Sequence, residues 1–181
     1  AAEITEPGLE FGYGGFEVPL PNSRKPIAIR AFNVLRQYDE SEVTKSWQLM
    51  TNRLAPEGYL VEGTCDEIGR RSSWVSLRSQ ESVPETFTIS LHVGSLEMPS
   101  EIAPRLPKAL IHRNVPGEKI YDFLQEFDRA WLGNSAMIPF GARQRWVAAV
   151  EALRSSYPIL DNKVRWRLGE VTIPWDVVAP K

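Results

Sequence analysis

The run Glu62-Gly-Thr-Cys-Asp-Glu67 gathers carboxylates and a thiol in one short stretch. Paired carboxylates can split their pKa values and work as acid and base. They also occur as loop caps and solvated charges, and both readings stand. Glu62 lies inside an otherwise apolar run, so its carboxylate needs a partner. Arg30 supplies one if the two side chains face the same way. Cys65 has no second cysteine or histidine at metal-ligand spacing, so it reads as a structural thiol and no metal site is expected. Further along, Lys108, His112, Arg113 and Asn114 form a compact cluster that could recognise an anionic or polar group. Alternatively, Leu110, Ile111 and Val115 pack there while the polar residues pair locally. Near the start, Gly12-Tyr-Gly-Gly-Phe16 allows close backbone approach to a ligand, and Phe16 or Tyr13 could stack on a flat ring. It would otherwise be a glycine-rich connector anchored by Phe16 and Val18.

What positions these groups is the stretch 26–64. Ile27-Ala-Ile-Arg-Ala-Phe-Asn33 has the apolar, β-branched content of a strand covered on both faces. Asp39 with Glu42 three residues on is a helix start with its reciprocal acid. Val43, Trp47, Met50 and Leu54 then place one apolar stripe on a helix. Pro56 and Gly58 stop it, and Tyr59 to Thr64 reads as the next strand. Buried strands joined by an amphipathic helix imply a parallel βαβ unit. Ligands bind beyond the carboxyl ends of such strands, where Asn33, Arg36, Gln37 and Tyr38 leave the sheet. Asn33 may equally be read as a turn cap.

Around that unit the signals are weaker. Residues 1–7 read as a helix tail and Gly8 to Phe11 as a short strand, followed by a surface loop over 19–26. Ser73 to Leu77 and Thr86 to Val93 read as strands. The second alternates with period two, burying Phe87, Ile89 and Leu91 and turning His92 outward. Four prolines break 94–117 into short pieces. Ile120, Phe123, Leu124, Phe127 and Trp131 stripe one helix, and a second runs from Gly141 through Ser156, antiparallel to it. Val164 to Leu168 and Glu170 to Val178 read as closing strands. Pro174 confines the latter to an edge or a bulge. Where Arg and Trp interleave, at 143–146 and 165–167, buried tryptophan with exposed arginine explains the pattern better than a single-strand binding platform.

At 181 residues, 43% hydrophobic and 24% charged, the chain has the composition of one soluble globular domain. A net charge of −2 gives no electrostatic case for nucleic acid or anionic membrane. One cysteine fits a reducing cytoplasm, and no apolar run is long enough to span a bilayer.

Arg30-Ala-Phe-Asn-Val-Leu35, Leu54-Ala-Pro-Glu-Gly58 and Leu60-Val-Glu-Gly63, in that order, resemble the later half of class I methyltransferases that use S-adenosylmethionine. Leu106-Pro-Lys-Ala-Leu-Ile-His-Arg-Asn-Val-Pro-Gly117 looks like an actinobacterial, methyltransferase-like subgroup, so the resemblance covers nearly the whole chain. It implies an α/β, partial Rossmann-like mixed sheet with helices on its faces. The implied activity is methyl transfer to an unknown acceptor, whether small molecule, RNA or protein. It also implies cofactor contacts from Gly14, Gly15, Phe16, Ala31, Phe32 and Asn33, and substrate contacts from Arg36, Tyr38, Glu62, His112 and Arg113. The family's glycine-rich turn, and the acid ending its second strand, would lie upstream of residue 1. The chain is therefore expected to be a shortened, carboxyl-terminal portion that binds S-adenosylmethionine weakly or not at all. It is also expected to self-associate over an uncovered sheet edge. The alternative is a non-enzymatic binding or interaction domain that retains part of the sheet.

Overall fold

The computed structural model describes residues 8–181. The chain is α/β: a five-stranded mixed sheet in the order β1-β2-β3-β4-β5, consistent with a partial Rossmann-like fold. β1 (Ala28–Phe32) and β2 (Tyr59–Cys65) run parallel, with Arg30 opposite Val61 and Ala31 opposite Glu62. α1 (Val43–Thr51) joins them. A 3-10 turn over Glu40–Glu42 leads into it, and the Glu42 carboxylate accepts the Asp39 N–H at 3.3 Å, as the spacing of the two acids predicts. Val43, Trp47, Met50 and Leu54 are all buried; Trp47 is 3% exposed. The βαβ unit stands as expected.

After β2 the chain turns into an antiparallel meander of β3 (Arg71–Arg78), β4 (Thr86–Leu91) and β5 (Glu170–Pro174). Every fully buried apolar strand residue lies on one face: Ile29, Ala31, Leu60, Val75, Leu77, Phe87, Ile89, Leu91, Val171 and Ile173. The helices pack against that face. They include the short α2 (Lys108–Ile111), α3 (Lys119–Gly133) and α4 (Ala142–Leu153). Phe127 and Trp131 of α3 meet Trp146 near the start of α4, while Phe123 meets Tyr157 beyond its end. The pair is therefore antiparallel. Arg145 lies 4.0 Å over the Trp131 ring and donates to the Trp131 carbonyl. The opposite sheet face carries Arg30, Phe32, Val61, Trp74 and a run of serines and threonines, and among the described residues no helix lies over it.

Several expectations are corrected. Gly8 to Phe11 forms no strand: its residues are exposed and no neighbouring strand offers a ladder. The helix tail expected over 1–7 lies outside the described residues. Val164 to Leu168 is not a strand but contains most of the short helix α5 (Lys163–Trp166). Asn162 caps it by accepting the Val164 N–H, and Trp166 is drawn inward by donating to Asp161 at 2.7 Å. A buried indole between exposed arginines thus mimics strand alternation over so short a span. Glu170 to Val178 is strand only as far as Pro174, after which Trp175–Val177 is a 3-10 turn. β5 is an edge strand, as its proline requires.

Gly63 is the tightest point of the sheet. A Cβ there would stand 2.2 Å from the Ser73 carbonyl oxygen and 2.6 Å from the Trp74 Cβ. Neither can retreat without disturbing the β2–β3 ladder. Gly63→Ala is expected to destabilise the fold by about 1–3 kcal/mol, read as a lower urea midpoint at unchanged slope.

Candidate functional site

At the outer margin of β1 the chain forms a depression lined by Gly14, Gly15, Phe16, Val18, Ile29, Arg30, Ala31, Val34, Tyr38 and Met50, with a volume of about 350 Å³. It brings together five residues expected to meet cofactor or substrate: Gly14, Gly15, Phe16, Ala31 and Tyr38. The 14–18 turn forms one wall. It closes through the Val18 N–H to the Gly15 carbonyl, and Glu17 accepts the Gly15 N–H at 2.9 Å, which holds its carboxyl below the usual range. Val18 takes a φ of 40°, costly for a β-branched residue, and still packs against the core. Phe16 and Tyr38 meet with ring centroids 5.1 Å apart and planes at 57°. Tyr13 is fully exposed and takes no part in this wall.

The other candidates lie elsewhere. Phe32 projects from the opposite sheet face, under the Arg30 guanidinium at 3.8 Å and beside Trp74 at 6.2 Å. Asn33 sits in a left-handed conformation with φ 61° and ties β1 to β2. Its N–H donates to the Gly63 carbonyl, its Oδ1 accepts the Cys65 N–H at 3.0 Å, and its Nδ2 donates to Cys65 Sγ at 3.3 Å. That is the turn-capping role. Arg36 donates to the Pro104 carbonyl, anchoring the 99–105 segment. Arg113 pairs with Glu40 at 2.8 Å and Glu118 at 3.6 Å, and the Glu40 carboxylate raises its pKa. His112 is exposed and 3.2 Å from Lys108 Nζ. Asp66 caps its own turn by accepting the Arg70 N–H, and Glu67 is an exposed partner of Arg105.

Glu62 lies in the middle of β2 rather than at a rim. The register places it opposite Ala31, on the helix-covered face, whereas Arg30 faces the other way, so the expected Glu62–Arg30 pair does not form. Instead Trp47 Nε1 donates to Glu62 Oε2 at 3.3 Å, and Oε1 has no partner among the described residues. Burial pushes its pKa up from 4.5 to about 7, against the opposing effect of the Trp47 hydrogen bond. Met50 and Ile29 were not expected at the depression, whereas Val34 ends the 31–34 loop expected near the cofactor. Met50 reads as ordinary core from its helical spacing.

The depression offers aromatic and aliphatic walls and one phenol, with the Arg30 guanidinium turned to the other face over Phe32, and no paired acid and base. Among the described residues no group of His, Cys, Asp or Glu could hold a metal ion, and no helix is long and apolar enough to cross a membrane. No family model, curated protein or solved structure matches the chain.

Glu62 makes stability depend on pH. Below 4.5 its carboxyl is protonated in both the folded and the unfolded chain, and the stabilisation is complete. Between pH 4.5 and about 7 the unfolded chain carries a solvated carboxylate while the core keeps Glu62 protonated, so stability falls by roughly 3 kcal/mol and levels off once pH has passed through the folded pKa. Glu62→Gln keeps an acceptor for Trp47 and should flatten this slope. Urea titrations of both proteins from pH 4.5 to 8.5 check it, and parallel pH profiles would contradict it.

Proposed function

We infer that the chain is a class I, S-adenosylmethionine-dependent methyltransferase-like protein whose elements correspond to the later half of that fold, with an acceptor not yet identified, in the reducing cytoplasm its single cysteine suits. The observation that carries this reading is the depression beside parallel strand β1, walled by Gly14-Gly15-Phe16 and by Tyr38. A planar ring fits against Phe16 and Tyr38, with the small side chain of Ala31 leaving room below. S-adenosylmethionine would supply the activated methyl group. In-line methyl transfer asks mainly for positioning of donor and acceptor, so a site without an acid–base pair is compatible with it. Tyr38 is the polar side chain in the wall that would orient an acceptor at the rim.

The residues present fit the cofactor only in part. No carboxylate lines the depression to accept from both ribose hydroxyls, and nearby Glu17 is turned to the Gly15 N–H. Two missing charge-assisted hydrogen bonds, at roughly 1.5–3 kcal/mol each, weaken binding by about two to four powers of ten. This chain is therefore expected to bind S-adenosylmethionine no more tightly than about millimolar. Adding a segment with the family's glycine-rich turn and acid should recover affinity. NMR titration should shift Phe16, Ala31 and Tyr38 signals. Shifts confined to other residues, or micromolar affinity by calorimetry for this chain alone, would overturn the reading of the site.

A second reading has its own support. The bare sheet face presents Phe32 and Trp74 with Arg30 stacked on the former, an arrangement suited to binding rather than catalysis. A non-enzymatic binding domain would show no saturable shifts at Phe16 and Tyr38 with S-adenosylmethionine.

A further inference from the structure

β1 is an edge strand, and depressions flank it on both faces. The one described above lies on the helix-covered side. A second, of about 560 Å³, lies on the bare side and includes Phe32, Val61 and Trp74. Ile29 and Arg30 border both, and among the described residues no strand pairs with the outer edge of β1. The direction of its backbone groups follows from the ladder. The Ile27 carbonyl accepts the Tyr59 N–H and the Asn33 N–H reaches the Gly63 carbonyl. Odd-numbered residues of β1 therefore turn their N–H and C=O toward β2, and Ala28, Arg30 and Phe32 turn theirs outward. Among the described residues none of these outward groups has a hydrogen-bond partner.

We propose that two copies of the chain pair antiparallel through β1, about a twofold axis passing between their Ala31 residues. This register sets Arg30 of each copy opposite Phe32 of the other. Since both residues turn their N–H and C=O outward, each such pair exchanges both of its hydrogen bonds, and every outward group of Arg30 and Phe32 is used. The side chains agree with the backbone. Each guanidinium already lies over its own Phe32 at 3.8 Å, and the register brings a second aromatic ring alongside it on the same face. Sliding the axis to Arg30 would instead set two guanidinium groups directly opposite each other, which is unfavourable. Ala31 meets Ala31 with no bulk between, on the side of the depression. There Ile29 of the second copy approaches the end near Val34 and Tyr38. Each site would then gain an apolar wall from the other copy, and the two sheets become one.

The test uses the whole chain. Multi-angle light scattering at increasing concentration should approach twice the chain mass. Arg30→Pro removes an outward N–H while leaving the β1–β2 ladder intact, because proline is tolerated on an edge. It should halve the scattering mass with unchanged circular dichroism. In a Cys65→Ser background, Ala31→Cys should form an interchain disulfide under mild oxidation, because facing residues of a non-hydrogen-bonded pair stand about 4.5 Å apart at Cα. Ile68→Cys, exposed on the β2–β3 turn, is the collision control. Three results would each overturn the proposal: a monomer at every concentration, cross-linking of Ala31→Cys no faster than the control, or cross-linking through Arg30→Cys in its place. If Arg30→Pro does not fold, the cross-linking comparison decides alone.

Discussion

The register between β1 and β2 governs the rest of the molecule. Among the described residues β2 alone is parallel to one neighbour and antiparallel to the other, so its side chains set which face of the sheet is buried. Leu60, Glu62 and Thr64 go to the helix side, and Val61, Gly63 and Cys65 to the other. Glu62 is the cost of that choice. A shift by one residue would expose it, but would also turn Leu60, Leu77 and Val75 out to solvent. The sheet keeps the apolar side chains in and holds the carboxyl protonated against Trp47 up to near neutral pH. Asn33 locks the register at the carboxyl end by joining the Gly63 and Cys65 backbones to the end of β1.

One-sided burial then determines where ligands can go. On the covered side, α1 and the 99–105 segment fill the space above β2 and β3. The Thr64 and Ser73 hydroxyls both donate to the Arg105 carbonyl there. The margin beside β1, roofed by the 14–18 turn rather than by a helix, is left open. On the other side Gly63 lets Trp74 lie close over β2, so Trp74 and Phe32 make a low aromatic platform instead of a core. The two open surfaces share β1 and differ in chemistry: one is a mainly apolar slot, the other a flat face bearing a cation.

How far the sequence carries depends on the range of the interaction. The βαβ unit was legible because its signals are local and agree: apolar runs of strand length, Asp39 with Glu42, a stripe at Val43, Trp47, Met50 and Leu54, and Pro56 with Gly58. The α3 and α4 stripes were legible for the same reason. Val164 to Leu168 misled because one buried indole between arginines fits either period, and what decides it is a bond from Trp166 to Asp161 and a cap from Asn162. Glu62 misled because facing depends on register, and two adjacent strands leave the parity of a cross-strand pair undetermined until they are aligned. Of the site, the glycine-rich wall and Tyr38 could be named from composition and position. Met50 could not, because its place in the wall arises from the 14–18 turn folding back on β1. Period two in β3 could have flagged Trp74, since Ser73, Val75 and Leu77 assign it to the opposite face.

The slot and the edge are physically coupled. Its floor is Ile29 and Ala31, whose backbone groups are committed to β2, while the residues between and beyond them, Arg30 and Phe32, leave theirs free. Whatever strand pairs with Arg30 and Phe32 must run directly past the mouth of the slot and place alternate side chains over it. A ligand that fills the slot and a strand that pairs with β1 therefore touch the same short segment, and each changes the surface the other meets. The sign of that coupling follows from size. A flat ring held between Phe16 and Tyr38 leaves the plane of the sheet clear, so strand and ligand can occupy their places together. An acceptor large enough to reach past Arg30 must displace the added strand, and would bind the unpaired chain in preference.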